Sequence, residues 1–580
     1  MSLWPLAANA ARGLLDRHSK QVGRVKMKLN GAQIVIKQLE AHGVTTVFGY
    51  PGGAVLTLYD ELYKASDKIH HVLTAHEQGA AHAADGYARV SGKTGVVIAT
   101  SGPGATNLVT GIANAYLDSI PLVAITGNVP VPLLGRDSFQ EVNIIGITNS
   151  IVKHNFVVRE VESLEEILRE AFYIANSGRC GPVLVDIPKN VQSDMCEYVG
   201  KIPLPIARRT CEFDAAGIAK LIAESERPFI YAGGGVIASG AQEKLLKLSE
   251  KIAAPVGLSL MGLGALSCDY PLNLGLKGMH GRYAANMASA ECDLLLAVGT
   301  RFSDRATGDV KEYEKAKTII HVDIDNAEIS KNVAPHIEVC NDVYNVLSQL
   351  LPLLQEKRHD GWSARVKELI GEQKKQEDGY TKNGEFTPKN IIETVNKAFN
   401  DDTIVATDVG QHQMWTAQYY RVNKPRTLLT SGGLGAMGFG LGAAIGGSFA
   451  RNKERAILFT GDGSFGMNLT ELATAVTNKI PVLIIVLNNE TLGLPYQWQT
   501  MFYEKRYSES VMGRKTDFAA LAKAFGAQGH KAASITELEA VLKNLPSDGP
   551  AVIECPIGCD EVVLPMIPPG GSIKDMVIGG

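Results

Sequence analysis

The chain has 580 residues, with 57 Lys and Arg against 61 Asp and Glu for a net charge of −4, and 45% of its residues are apolar. That length allows about three or four domains, each with its own core, and the charge balance argues against a polyanion binder, so nucleic acid is not an expected partner. No apolar run approaches the roughly 18 residues of a membrane span, so no membrane is expected either, and the eight scattered cysteines, lacking zinc or disulfide-scaffold spacing, fit a reducing, cytoplasmic compartment.

In chain order, residues 1–26 carry Arg12, Arg17, Lys20, Arg24 and Lys26 but a single acid, Asp16. They read as a disordered leader, transit peptide or scar outside the fold. From Lys28 onward short β-rich runs alternate with longer helical patterns, the signature of parallel α/β architecture. A first block, 27–200, has the runs 46–49, 95–100, 121–127 and 183–187, and closes at Ile202-Pro203-Leu204-Pro205, an extended linker. A second, 201–370, has 228–231, 293–298 and 318–323, then decays into the charged stretch 355–382, read as a linker of helical character. A third, 371–580, has 403–407, 456–459, 481–487 and 551–554. The expected fold is α/β, with three doubly wound parallel-sheet domains.

The most informative stretch is 456–499. The run from Ala456 leads at once into Gly461-Asp462-Gly463, Asn468 with Glu471 reads as a capping box for a helix through Thr477, and the next run ends in Asn488-Asn489. A right-handed crossover makes these strands parallel neighbours, so Asp462 and Asn489 emerge on one sheet edge. A carboxylate plus an amide suits a hard cation such as Mg2+, completed by phosphate oxygens and water. Gly461 and Gly463 let phosphates approach the backbone, and the helix N-terminus offers free amides. Alone, Gly-Asp-Gly is a turn and Asn-Asn a strand end. The whole pattern across one βαβ unit resembles the thiamine diphosphate motif.

In Ala75-His76-Glu77-Gln78-Gly79-Ala80, Glu77 opens a helix whose Ala80, Ala81, Ala83, Ala84 and Ala88 form a face suited to close packing. By position alone Glu77 is a first-turn glutamate favoured by the helix dipole. His-Glu-Gln-Gly-Ala-Ala followed by Asp85-Gly86-Tyr87-Ala88-Arg89 resembles thiamine diphosphate enzymes that act on 2-keto acids. That resemblance makes Glu77 the acid that exchanges a proton with the cofactor's pyrimidine.

From about Lys28 to its C-terminus the chain is similar to the catalytic subunits of the acetohydroxyacid synthase family. Gly49-Tyr50-Pro51-Gly52-Gly53-Ala54, Ser101-Gly102-Pro103-Gly104-Ala105-Thr106-Asn107, Phe139-Gln140-Glu141 and Asp408-Val409-Gly410-Gln411-His412 all stand where that family carries them. The resemblance implies that Gly53 offers an amide at the reacting carbon and that Tyr50, Pro51, Pro103, Asn107 and Gln140 surround cofactor and substrate. It implies that Phe139 and Trp498 line the substrate pocket and that Lys189 stands at its mouth, where a plain surface lysine is the alternative. Val409, Gly410, Gln411, His412, Gly463, Ser464 and Leu494 would hold the diphosphate end, Met437 would wedge the cofactor into a bent form, and Asp462, Asn489 and Thr491 would hold Mg2+.

In the middle block Tyr231-Ala232-Gly233-Gly234-Gly235-Val236 is a glycine turn that admits a nucleotide diphosphate, although no Gly-x-Gly-x-x-Gly is present. With Gly278-Met279-His280-Gly281 and the segment Gly299 to Arg305 it resembles the family's FAD-binding domain. The implied FAD contacts are Arg179, Gly233, Gly234, Gly235, Met279, His280, Arg301, Arg305, Asp323, Ile324, Asp342 and Val343; Cys180 follows Arg179 where proline is usual.

The blocks then become pyrimidine-binding (27–200), FAD-binding (201–370) and diphosphate-binding (371–580) domains. The implied activity is acetolactate synthesis: decarboxylation of pyruvate and condensation of the two-carbon unit with pyruvate or 2-ketobutyrate, in branched-chain amino acid biosynthesis, with a structural FAD. The implied assembly is a homodimer or homotetramer with active sites between subunits, together with a regulatory small subunit. One alternative is a pyruvate oxidase, against which Gln497-Trp498-Gln499 argues; a glyoxylate carboligase lacks the glutamate. Another is a carboligase with altered acceptor, because Pro495 replaces the usual valine and is expected to stiffen or reroute its loop, with the ring of Tyr496 close to the pocket. Gly442, where proline is common, reads as a tolerated variant.

Overall fold

The computed structural model describes residues 27–380 and 385–579, so the leader expected over residues 1–26 lies outside the described residues. Three six-stranded sheets follow one another along the chain, every pairing within them parallel, with helices between the strands. In the first the order is His70–Leu73, Thr46–Tyr50, Gly95–Ala99, Leu122–Asn128, Pro182–Pro188, His154–Val157. The third runs Leu428–Leu429, Ile404–Thr407, Ala456–Gly461, Val482–Asn488, Ala551–Pro556, Gln528–Lys531. The central sheet sets Pro228–Ala232, Leu294–Val298 and Thr318–Asp323 side by side. The runs read from sequence are thus the inner strands, which are apolar on both faces because helices cover both. A short antiparallel ribbon, Met27–Asn30 with Met195–Tyr198, ties the start of the first block to its end.

The stretch around 355–382 is more than a linker. It contains the helix Asp360–Tyr380, whose Trp362, Val366 and Leu369 are buried in the central core, and the Trp362 indole donates to Pro228 O at 3.0 Å. Apolar residues three and four apart form one stripe on an otherwise charged helix, which average composition conceals.

The outer sheets meet through two helices of small residues, Glu77–Ser91 and Phe439–Ala450. A Cβ on Gly86 would overlap Ala443 O, one on Gly446 would overlap Ala83 O, and one on Gly442 would lie 2.9 Å from Gly79 O. Gly86 and Gly446 are therefore the residues this crossing requires, while Gly442 sits in a close but less crowded contact. Beside it, buried Arg89 pairs with Asp85 and with Asp118 at 2.8 Å, and donates to Thr430 O at 3.0 Å. Removing one member of such a buried set costs about 3–5 kcal/mol, because the remaining charge is left uncompensated.

Candidate active site

On the third sheet Gly461 pairs with Leu487, so the two strands end together and deliver Asp462 and Asn489 to one edge. Both are 8% exposed. Asp462 opens the helix Asp462–Asn468, and burial pushes its carboxyl up to about 6. Asn489 donates to Gln411 Oε1 at 3.2 Å and accepts from Thr491 N at 3.2 Å. Gln411 in turn donates to Gln497 Oε1 at 3.0 Å and Glu561 O at 2.8 Å, which locks the loop ahead of the edge. Asp408 holds that loop from behind, accepting from Gly440 N and from the Thr460 hydroxyl, each at 2.7 Å.

The His412 ring lies against Gly461, where a Cβ would stand 2.9 Å from Nδ1, so a larger residue at this strand end would displace the imidazole. Burial lowers the His412 pKa to about 3, keeping the imidazole neutral. Ser464 donates to Val409 O at 2.8 Å. The Nε2 of His412 and the hydroxyl of Thr491 are buried without a partner.

The capping box expected from Asn468 and Glu471 is absent. The helix begins at Asp462, Asn468 donates to Gly438 O at 2.9 Å, and Glu471 accepts from Ala75 N and His76 N on the first block. Partners distant in sequence take both side chains away from their local helix.

On the first sheet Glu77 is the first residue of its helix, capped by His76, whose ring accepts from Gln78 N at 3.1 Å. Glu77 is buried, and its Oε2 accepts from Asn107 Nδ2 at 2.9 Å. Together with burial its charge raises the Tyr59 hydroxyl well above the usual phenol range. Pro103 starts the short helix Pro103–Asn107. Gln140 has φ +58° and packs on Gly102, also at φ +58°, where a Cβ would lie 2.7 Å from Gln140 O. Gly53 faces open space, Tyr50, Pro51 and Lys189 are exposed, and Phe139 is 88% exposed. Half-buried Met437 directly precedes Gly438, the residue that Asn468 holds. Among the described residues no hydrogen bond joins Glu77 to Asp462, Asn489 or His412.

Between the sheets lies a cavity of about 1170 Å³. Arg179, Gly234, Gly235, Met279, His280, Arg301, Arg305, Asp323, Ile324, Asp342 and Val343 line it, as do Leu494 and Trp498 from the third block. Gly233 lies outside the lining: a Cβ there would meet Thr300 Cβ at 2.5 Å, so its place is in the tight packing beneath the wall. Arg179 donates to Ser119 Oγ at 2.7 Å and pairs with Glu328 at 2.8 Å, joining first and central blocks. Burial holds the His280 ring down at about 4 and pushes the Asp323 carboxyl up to about 6. Arg305 stands 5.8 Å from the Trp498 ring. Sequence reading missed Arg208, Arg209, Lys277, Gln413 and Arg426 in this wall. Arg208 and Arg209 follow the extended linker 202–205, Lys277 directly precedes Gly278-Met279-His280-Gly281, Gln413 directly follows Gln411-His412, and Arg426 stands in a stretch without a motif.

The thiamine pyrophosphate enzyme N-terminal TPP binding domain matches residues 29–147, the central domain of that family matches 215–350, and its C-terminal TPP binding domain matches 408–555. The chain is 47% identical over 567 residues to the probable acetolactate synthase large subunit of Methanocaldococcus jannaschii, covering 95% of each. It is 44% identical over 557 residues to the acetolactate synthase isozyme 2 large subunit of Escherichia coli, covering 95% of this chain and 99% of that one. Over 573 residues it is 43% identical to acetolactate synthase 1, chloroplastic, of Oryza sativa subsp. japonica, covering 95% and 88%.

The chain belongs to the acetolactate synthase large-subunit family.

Membership makes it an enzyme of the thiamine diphosphate class, and the residues present fit that group and its cation. Unpartnered His412 Nε2 and Thr491 Oγ1 lie in the motif loops beside a buried carboxylate and amide, a donor set suited to diphosphate and a hard cation. The cavity suits FAD: it is large, carries several arginines, and contains a buried, unpartnered His280 Nδ1. One departure from the acetolactate synthase pattern stands in the cavity wall, where Pro495 lies between Leu494 and Trp498 in the lining. Pro495 is the third residue of the helix Gly493–Phe502, in the first turn, where its missing N–H has no intrahelical partner to lose. The segment is a helix. Tyr496 stacks on Tyr507, centroids 4.3 Å apart, and does not line the cavity.

Proposed function

We propose that this chain is an acetolactate synthase, which decarboxylates pyruvate and condenses the two-carbon unit with pyruvate or 2-ketobutyrate in branched-chain amino acid biosynthesis. The observation that carries this reading is the buried Glu77–Asn107 pair on one outer sheet combined with the Asp462–Asn489 edge on the other. Bound thiamine diphosphate supplies a nucleophilic carbon and an electron sink. Asp462, Asn489 and Thr491 hold Mg2+, while neutral His412, with Gln411, Val409, Gly410, Gly463 and Ser464, holds the diphosphate. Glu77 holds and returns a proton at its carboxyl oxygen, with Asn107 fixing its direction. Gly53, Gln140, Lys189, Tyr50, Pro51, Pro103 and Phe139 would surround the reacting end of the bound cofactor, and Met437 and Leu494 would pack against it.

FAD fills the central cavity as a structural group, with Trp498 and Arg305 forming the wall towards the acceptor. Domains of 27–200, 201–370 and 371–580 divide these tasks. The exposed first-block loops support a second copy of the chain as the other half of each site, in a homodimer or homotetramer, with a regulatory small subunit as a further partner. No helix among the described residues is long and apolar enough to cross a membrane, and the free cysteines support a cytoplasmic location.

The test is incubation with pyruvate, with and without oxygen, following acetolactate, hydrogen peroxide and flavin absorbance. Acetolactate in both, without peroxide or bleaching, is expected. Peroxide formed in proportion to pyruvate consumed would instead establish the oxidase reading.

A further inference from the structure

Within one short segment the third block reaches four parts of the candidate site. Asp462 begins it, Ser464 donates to Val409 O at 2.8 Å, and Asn468 donates to Gly438 O at 2.9 Å, next to Met437. Glu471 ends it and leaves its own sheet altogether. Its Oε1 accepts from His76 N at 3.0 Å, and its Oε2 accepts from Ala75 N at 3.2 Å and from Thr474 Oγ1 at 2.6 Å. Glu471 is 1% exposed. The two amides it receives belong to the residues immediately before Glu77. On the next turn Gly79 has no side chain because a Cβ there would overlap the Glu471 carboxylate.

We propose that Glu471 is a positioning residue for Glu77: by fixing Ala75 and His76 it sets the place and direction of the Glu77 carboxyl, and ties it to the segment that begins at Asp462. A buried carboxylate accepting three donors has one orientation, so the turn ahead of Glu77 inherits that precision. The proposal rests on the reading of Glu77 as the acid facing thiamine diphosphate. A purely adhesive role between the two sheets would predict lost stability without a change in how the cofactor is activated.

The readout is therefore deuterium exchange of the C2 proton of bound thiamine diphosphate, by rapid quench and NMR, on full-length enzyme loaded with the cofactor and Mg2+. Glu471→Gln keeps the side chain's size but turns one acceptor into a donor that faces an amide or a hydroxyl. Exchange and kcat should fall together by about 10- to 100-fold, the scale of a misplaced reacting group, with pyruvate KM and cofactor affinity little changed. Thr474→Val, which removes only the hydroxyl bond, should give a smaller fall in the same direction.

Exchange at the wild-type rate in folded Glu471→Gln overturns the proposal, even if activity or stability drops. If that variant does not fold, Thr474→Val decides, and unchanged exchange there overturns it. Exchange needs no keto acid. A wild type that exchanges but makes no acetolactate thus refutes the proposed reaction and leaves the positioning role supported or refuted by the exchange rates alone.

Discussion

The two halves of the candidate site are built in opposite ways. The Asp462–Asn489 edge arises within one strand–helix–strand unit, is buried, and has its side chains cross-bonded through Gln411 and Gln497. The Glu77 half gathers segments from separate loops of the first block and leaves Phe139 88% and Tyr50 41% exposed. The lesson is that the Asp462–Asn489 edge is closed within a single chain, whereas the Glu77 half has an apolar rim still uncovered. Rims of this kind mark surfaces that another body covers.

The most forceful way to break the comparison is to remove the acid. Glu77→Gln should lower turnover by about 10²- to 10⁴-fold while cofactor affinity, followed by fluorescence titration, hardly changes. Near-normal turnover would take Glu77 out of the mechanism. Complementation sharpens the contrast between halves: inactive Glu77→Gln and inactive Asp462→Ala chains, mixed and exchanged, should regain activity if a second copy supplies the missing half. Verified mixed dimers that stay inactive would place both halves within one chain.

The crossing that holds the outer sheets together can be probed next. Gly446→Ala drives a methyl group into the Ala83 carbonyl and should destabilise by roughly 1–3 kcal/mol, read as a lower denaturant midpoint. A midpoint equal to wild type would mean the two helices can separate freely.

A pH experiment addresses the same crossing. His82 lies there against Phe439, ring centroids 5.2 Å apart, and burial, aided by Arg89, lowers its pKa to about 3. The unfolded chain takes up this proton as pH falls below about 6.5 and the folded chain does not, so stability is lost on acidification between about 6.5 and 3. Relative to His82→Gln, wild type should lose about 2 kcal/mol more between pH 7 and 5. Parallel unfolding curves for the two proteins would contradict a neutral buried ring. The smallest effect is expected at Pro495: Pro495→Val should change stability by less than about 0.5 kcal/mol, because a first-turn position carries no intrahelical amide bond. A large shift in melting temperature would show that the proline ring carries packing or strain in this turn.

Legibility in the sequence followed the same division. The Gly461-Asp462-Gly463 to Asn488-Asn489 pattern was readable because every part of it is local. So were the inner strands, which are long apolar runs. Edge strands such as His70–Leu73 and Gln528–Lys531 were not, since they carry no apolar run and are strands only because a neighbour pairs with them. Glu471 shows the same limit in a side chain: its spacing from Asn468 suits a local cap, yet its partners are Ala75 and His76.

By itself the sequence determined the α/β class, the inner strands of the outer sheets and the meeting of Asp462 and Asn489 on one sheet edge, because these depend on hydrophobic period and on residues brought together by one crossover. The tertiary structure alone decided that a charged helix belongs to the central core and that Gly86 and Gly446 are demanded by a helix crossing. It also decided that a glutamate from one sheet grips the turn before Glu77 on another. Those outcomes depend on contacts hundreds of residues apart, which no local pattern encodes and which exist only once burial has brought the elements together.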